Sequence, residues 1–290
     1  MTVRTRRPRA PRAPRQARVL VATGGMVVVA LLAGACGADA GEDTDPEHRT
    51  FALSGKTLTV DSDDSALELV PAGGDAKGVR VTRWFKGKTV LGGDPTVSWK
   101  MDGNRLTLDM NCSGLITDCS ARHRVEVPRG VTVTVESQDG QVTAAGFREA
   151  LKVRTKDGSV SVKDAGGPLD LRSSDGSISV KGAEGPLDLR SSDGSVRADG
   201  VRSRQVAVDS KDGSVHLELV TVPDRVDAHS KDGSVDIAVP GRKGGAEVAY
   251  DVRTESRDGS VDVSVPRDDH SPHRVNVRSA DGSVTVHTAN

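Results

Sequence analysis

Gly167-Pro-Leu-Asp-Leu-Arg-Ser-Ser-Asp-Gly-Ser-Ile178 returns one period later as Gly185-Pro-Leu-Asp-Leu-Arg-Ser-Ser-Asp-Gly-Ser-Val196, changed at one position. Outward from this pair the turn phrase recurs as Asp139-Gly140, Asp157-Gly158, Asp175-Gly176, Asp193-Gly194, Asp212-Gly213, Asp232-Gly233, Asp258-Gly259 and Asp281-Gly282. Successive Asp residues are 18, 18, 18, 19, 20, 26 and 23 positions apart. A period near 20 marks stacked supersecondary units. Each unit carries two alternating runs, such as Leu169-Asp-Leu-Arg172 before the turn and Ile178-Ser-Val-Lys181 after it. Alternation of branched apolar with polar residues is the signature of half-buried strands. The expected fold is all-β: a β-solenoid of ~18–20-residue coils behind an irregular β cap.

Asp-Gly between alternating runs is also a hairpin signal, with Gly at positive φ. Leu171 and Val180 have compatible parity for an antiparallel meander or sandwich, the alternative architecture. Near-identical units favour the solenoid, because each coil then meets the same neighbour above and below. Aromatic residues are only 2% of the 290, so the core is expected to be thin and aliphatic.

The N-terminal end has its own logic. Seven Arg and no acid stand between Met1 and Arg18, an apolar run follows from Val19 to Ala35, and Ala33-Gly34-Ala35 precede Cys36. A basic region, a short apolar region and small residues describe a secretion signal. The last four resemble a bacterial lipobox, which implies lipidation of the Cys36 thiol and cleavage in front of it. Removal of the leader takes the net charge from −1 to −8, because seven Arg leave and no acid does. An acidic body argues against nucleic acid as a partner. The expected organisation is a lipoprotein signal at 1–35, an acidic flexible tether at 36–49, a β cap with early coils at 50–130, and the repeat solenoid at 131–290. Cys112 and Cys119 then form an even pair in an oxidising compartment, and a small disulfide loop is expected. Their spacing lacks the Cys-x-x-Cys of metal and redox sites.

The tethered start, the cysteine pair before Val125-Glu-Val-Pro-Arg-Gly130 and the serial Asp-Gly-Ser-Val units resemble the bacterial β-strand-repeat family labelled putative adhesin. The resemblance spans roughly residues 50 to 290 and implies a β-solenoid at the cell envelope.

Chemistry is sparse. The turn Asp residues could present stacked oxygen ligands to calcium, but calcium-binding coils carry several Gly per turn. The structural reading is that Asp suits the turn, with Lys156, Lys211, Lys231 and Arg257 offsetting repulsion along the stack. Acids fall on the polar beat or at turns, where a raised pKa for glycoside cleavage is not expected. The seven His show no metal spacing, and His270 and His273 are expected to be solvated in a long loop. Ser follows the turn Gly at seven of the eight turns, Gln141 being the exception, and so repeats too often to be a nucleophile, which needs one special environment. No catalytic residue, metal or cofactor is assigned. The leading expectation is a non-catalytic lipoprotein on the extracytoplasmic face of a bacterial cell membrane, with long faces that bind a protein or glycan. A sensory partner of a membrane signalling system and a polysaccharide-active enzyme are the alternatives.

Overall fold

The two near-identical units stack in register and in parallel: Leu169 pairs with Leu187, Leu171 with Leu189 and Ser173 with Ser191, while Ile178 pairs with Val196. The structure, a computed structural model, describes residues 39–289, so the secretion signal and Cys36 lie outside it. Each coil gives one strand to a 12-stranded sheet and one to an 11-stranded sheet. The fold is the all-β solenoid, and parallel pairing between coils excludes the meander. Every second residue of Leu169–Ser173 and Ile178–Lys181 points inward and is buried. Like residues therefore form continuous columns, such as Val135, Val153, Leu171, Leu189 and Val208. All of these are at most 4% exposed, and burying each such side chain stabilises by about 1.5–3 kcal/mol. Between sheets so close together, branched aliphatics fill the space and rings are not needed.

The turn glycines correct the sequence expectation. None of Gly140, Gly158, Gly176, Gly194, Gly213, Gly233, Gly259 or Gly282 has positive φ. They are glycine because the coils approach too closely for any side chain. A Cβ on Gly194 would lie 2.2 Å from the Gly176 carbonyl oxygen, and one on Gly176 would lie 2.1 Å from that of Gly158. Positive φ occurs elsewhere, as at Gly182 and Gly200 in the opposite bends.

Three residues before each turn Gly stands a Ser or Thr, and at several turns its hydroxyl completes the turn from inside, whereas those of Ser137 and Ser210 have no partner. The Ser173 hydroxyl donates to the Gly158 carbonyl of the preceding coil at 3.0 Å and accepts from the Gly176 N–H at 3.0 Å. Ser230, Ser256 and Ser279 repeat both bonds with their own neighbours. Backbone groups that face a buried turn must be paired, and this small hydroxyl pairs one of each kind.

Spatial order departs from chain order at both ends. Arg274–Ser279 and Val284–Thr288 insert between the coil at 225–239 and the coil at 251–263, so the last coil of the chain is the penultimate one in space. The turn ladder therefore runs 212, 232, 281, 258, and the two longest steps, Asp232 to Asp258 and Asp258 to Asp281, carry the chain out and back. At the other end the coil Thr57–Ser62 with Ala66–Pro71 is flanked on one side by Thr132–Ser137 with Val142–Ala145. On its other side lie Arg105–Asn111 and Gly114–Val127.

Three antiparallel strands then end the stack: Glu47–Ala52, Gly78–Gly92 and Thr96–Asp102. The first of these begins inside the segment read as a tether, and just before it the Asp43 carboxylate accepts the Phe85 N–H at 3.0 Å. Phe51 and Trp99 meet edge to face at 6.4 Å over the core, with Arg49 and Arg83 guanidiniums on their rings. Cys112 and Cys119 are joined in a disulfide that closes the connection into Gly114–Val127, restricting the unfolded chain more than the folded one.

Candidate functional site

On the outer face of the 11-stranded sheet the polar beat of each strand becomes a column across the solenoid. One column runs Thr134, Lys152, Asp170, Asp188, Ala207, Asp227, Asn276 and Arg253. The next runs Glu136, Arg154, Arg172, Arg190, Asp209, His229, Arg278 and Glu255. Ala207 is a short side chain between Asp188 and Asp227, and the surface dips there. An open groove of about 830 Å³ lies between the columns. A second depression of about 520 Å³ shares Asp188, Ala207, Arg225 and Asp227 with it and extends past Pro186, Pro168 and Thr132.

The groove wall alternates in charge. Arg190 donates to Asp188 at 2.9 Å, and Arg225 pairs with Asp227, two residues along its own strand. The Asn276 amide donates to Asp227 at 2.9 Å, and the His229 imidazole meets Asp209 at 3.2 Å. Partial burial pushes the Asp227 carboxyl up, but bonds from Arg225 and Asn276 and the charges of Arg225 and Arg278 outweigh it and hold the pKa below the ordinary value. That is opposite in direction to what a proton-donating glycosidase carboxyl needs. These exposed pairs contribute little to stability individually. What they supply is a fixed array of donors and acceptors facing solvent.

The turn Asp ladder lies on the edge between the sheets, exposed to solvent. Contact with Asp157 raises the pKa of both Asp139 and Asp175, while Asp157 is lowered by the same contacts and by Lys156. Over these three coils the direction of the shift alternates. Lys156, Lys211 and Lys231 each pair with the Asp that follows, the offset expected from sequence. Among the described residues no group of three or more His, Cys, Asp or Glu is arranged to hold a metal ion.

The histidines divide sharply. His270 is exposed, as expected, whereas His273 is half-buried, its ring beside Tyr250 and its Nδ1 2.8 Å from the Pro223 carbonyl. That contact corrects the expectation of a solvated loop: the segment before Arg274 is packed because it leads into an inserted coil. His216 lies between Asp236 at 2.9 Å and Asp199 at 3.6 Å on the opposite sheet's outer face, and His287 reaches the same Asp236 at 3.2 Å. His123 is wholly buried, and its Nε2 has no partner. Sequence reasoning missed it, although Ala121, His123, Val125 and Val127 share one inward beat. It also missed the internal Ser column, whose signal was a hydroxyl three residues before every turn Gly.

The Toastrack family (DUF4097) matches residues 150–290, in keeping with the resemblance carried by the repeat units. No curated protein sequence matches the chain. Among solved structures, a putative adhesin from Bacteroides fragilis aligns at 10% identity with a TM-score of 0.49, covering 84% of this chain and 97% of that one. A putative cell adhesion protein from Clostridium sporogenes aligns at 8% identity with a TM-score of 0.24, covering 84% and 99%.

Proposed function

Proceeding from the Toastrack match of residues 150–290, we propose that this chain is a lipid-anchored, extracytoplasmic binding protein of the cell envelope, adhesin-like and without catalytic activity. The observation that carries the reading is the groove of alternating guanidinium and carboxylate groups on the outer face of the 11-stranded sheet. An open, polar, multi-strand groove suits an extended macromolecular ligand better than a small molecule, which favours enclosed apolar pockets. With guanidiniums from Arg190, Arg225, Arg253 and Arg278 interleaved with carboxylates from Asp188, Asp209, Asp227 and Glu255 on its walls, the ligand class is a protein or glycan chain that offers both acceptors and donors.

Two measurements test this reading. Arg190→Ala with Arg225→Ala removes two charge-assisted donors and is expected to weaken binding to isolated envelope material about tenfold or more. Lys163→Ala with Lys181→Ala, on the other sheet, should leave it within about twofold. Equal effects from both pairs would remove the groove from the proposal. Membrane retention rests on the Cys36 sulfur, since a diacylglyceryl thioether supplies two chains of anchoring. Cys36→Ala is expected to abolish incorporation of labelled fatty acid into the protein. A wild-type chain that takes up no label, or a variant that still does, would sink the lipid-anchor reading and leave the groove reading standing.

A further inference from the structure

The two ends of the solenoid are finished differently. At the N-terminal end antiparallel strands and the Phe51–Trp99 pair cover the core. At the other end the coil Asp251–Ser256 with Val261–Val263 is the last, and each of its strands pairs on one side only. Val261 occupies the same inward column as Val284 and Val235, which are at most 1% exposed, yet is itself 45% exposed. Nothing in the described chain lies over it.

The backbone groups of this edge can be assigned. The Asp251 N–H points into the stack to the His273 carbonyl, whereas Tyr250 bonds outward to the segment at 266–268. By alternation along a strand, Val252, Thr254 and Ser256 present their N–H and C=O groups away from the stack. Of these, the Val252 carbonyl accepts from the Arg267 guanidinium at 3.2 Å. Beyond that contact, the Val252 N–H and the outward groups of Thr254 and Ser256 remain as a short template for a further strand.

We propose that this terminal coil is a self-docking surface, on which a second copy of the chain stacks tail to tail by antiparallel pairing of Asp251–Ser256 with its own counterpart. The occupant follows from the strand's charge order. With a two-fold axis through Thr254, whose outward groups then pair with themselves, Arg253 falls opposite Glu255 of the second copy and Glu255 opposite its Arg253. A strand that complements its own reverse is what an isologous contact requires. An isologous contact uses the same edge on both copies, so it closes as a dimer and does not propagate into a fibre. This inference is independent of the groove.

Sedimentation of the full chain in neutral detergent tests it. The wild-type chain is expected to show a concentration-dependent dimer. Glu255→Arg puts like charges opposite each other twice and should weaken the dimer about tenfold or more. Restoring the order with Arg253→Glu in the same chain should recover it. Thr254→Pro removes an outward N–H, which an edge strand tolerates, and should abolish the dimer while leaving the thermal transition of the body in place. A monomer at every concentration up to about 0.1 mM, or a dimer indifferent to both Glu255→Arg and Thr254→Pro, overturns the proposal.

Discussion

Gly194→Val is expected to cost at least about 3 kcal/mol and to loosen the coils on both sides of it, a large share of the ~5–15 kcal/mol that holds a domain folded. The new Cβ would sit 2.2 Å from the Gly176 carbonyl oxygen and 2.4 Å from its carbon, and both are backbone atoms of a strand-locked coil. A side chain could swing aside; a ladder backbone cannot without breaking its own hydrogen bonds. The clash is with Cβ itself, so Gly194→Ala should show most of the loss. Gly200→Ala is the control. Gly200 has φ +63, but a methyl carbon there would meet its nearest neighbour at 3.9 Å, so only the left-handed strain of about 1–2 kcal/mol applies. Ser173→Ala leaves a buried carbonyl and a buried N–H without their side-chain partner, and should cost about 2–3 kcal/mol. Ser195→Ala, at an exposed site, should stay within about 0.5 kcal/mol. Denaturation midpoints order these variants. Should Gly200→Ala prove worse than Gly194→Ala, close stacking is not the reason for the glycine.

The repeat wording was readable in one respect and ambiguous in another. Alternation and period placed Leu169, Leu171, Ile178 and Val180 correctly on an inward beat, because a parallel coil demands the same side chain above and below. The wording Asp-Gly serves two purposes, a hairpin bend and a close-stacked turn, and sequence alone does not separate them. Coil order was hidden for a related reason. Val226 accepts Val252 or Val275 beside it equally well, so in-register repeats carry no label for their neighbour. Only the long steps on either side of Asp258, with room for an excursion, hinted at the inserted coil. The groove was hidden because it depends on columns: Arg190, Asp209 and His229 are each a full coil apart in the chain and adjacent across strands.

His123 should make stability fall with acidification. Its ring faces inward on Gly114–Val127, paired in register with Leu67 on one side and Arg83 on the other, and is 0% exposed. Nδ1 lies 2.9 Å from the Ser65 hydroxyl, which in turn meets Ser62 at 2.8 Å; Nε2 has no partner. A proton added to this ring would place a charge in an aliphatic core with nothing to receive the second N–H. Burial, with the Arg83 charge second, depresses the pKa from 6.5 to about 4. The folded state thus refuses a proton that the unfolded chain accepts below pH 6.5. The stabilisation is complete above that pH and drains away as pH falls toward about 4, reaching a loss of about 2.5 kcal/mol near pH 4.5. His123→Leu keeps the volume apolar and removes the titration, while Ser65 retains Ser62 as a partner. Chemical unfolding of both chains at pH 7 and pH 4.5 should show the wild type losing about 2–3 kcal/mol more than the variant across that interval. Asp43, Asp157 and Asp232, all held low, lose their contributions only at more acid pH and belong equally to both proteins. Parallel losses in the two chains would mean that His123 accepts its proton in the folded state, through an opening of the cap strands that lets water reach Nε2.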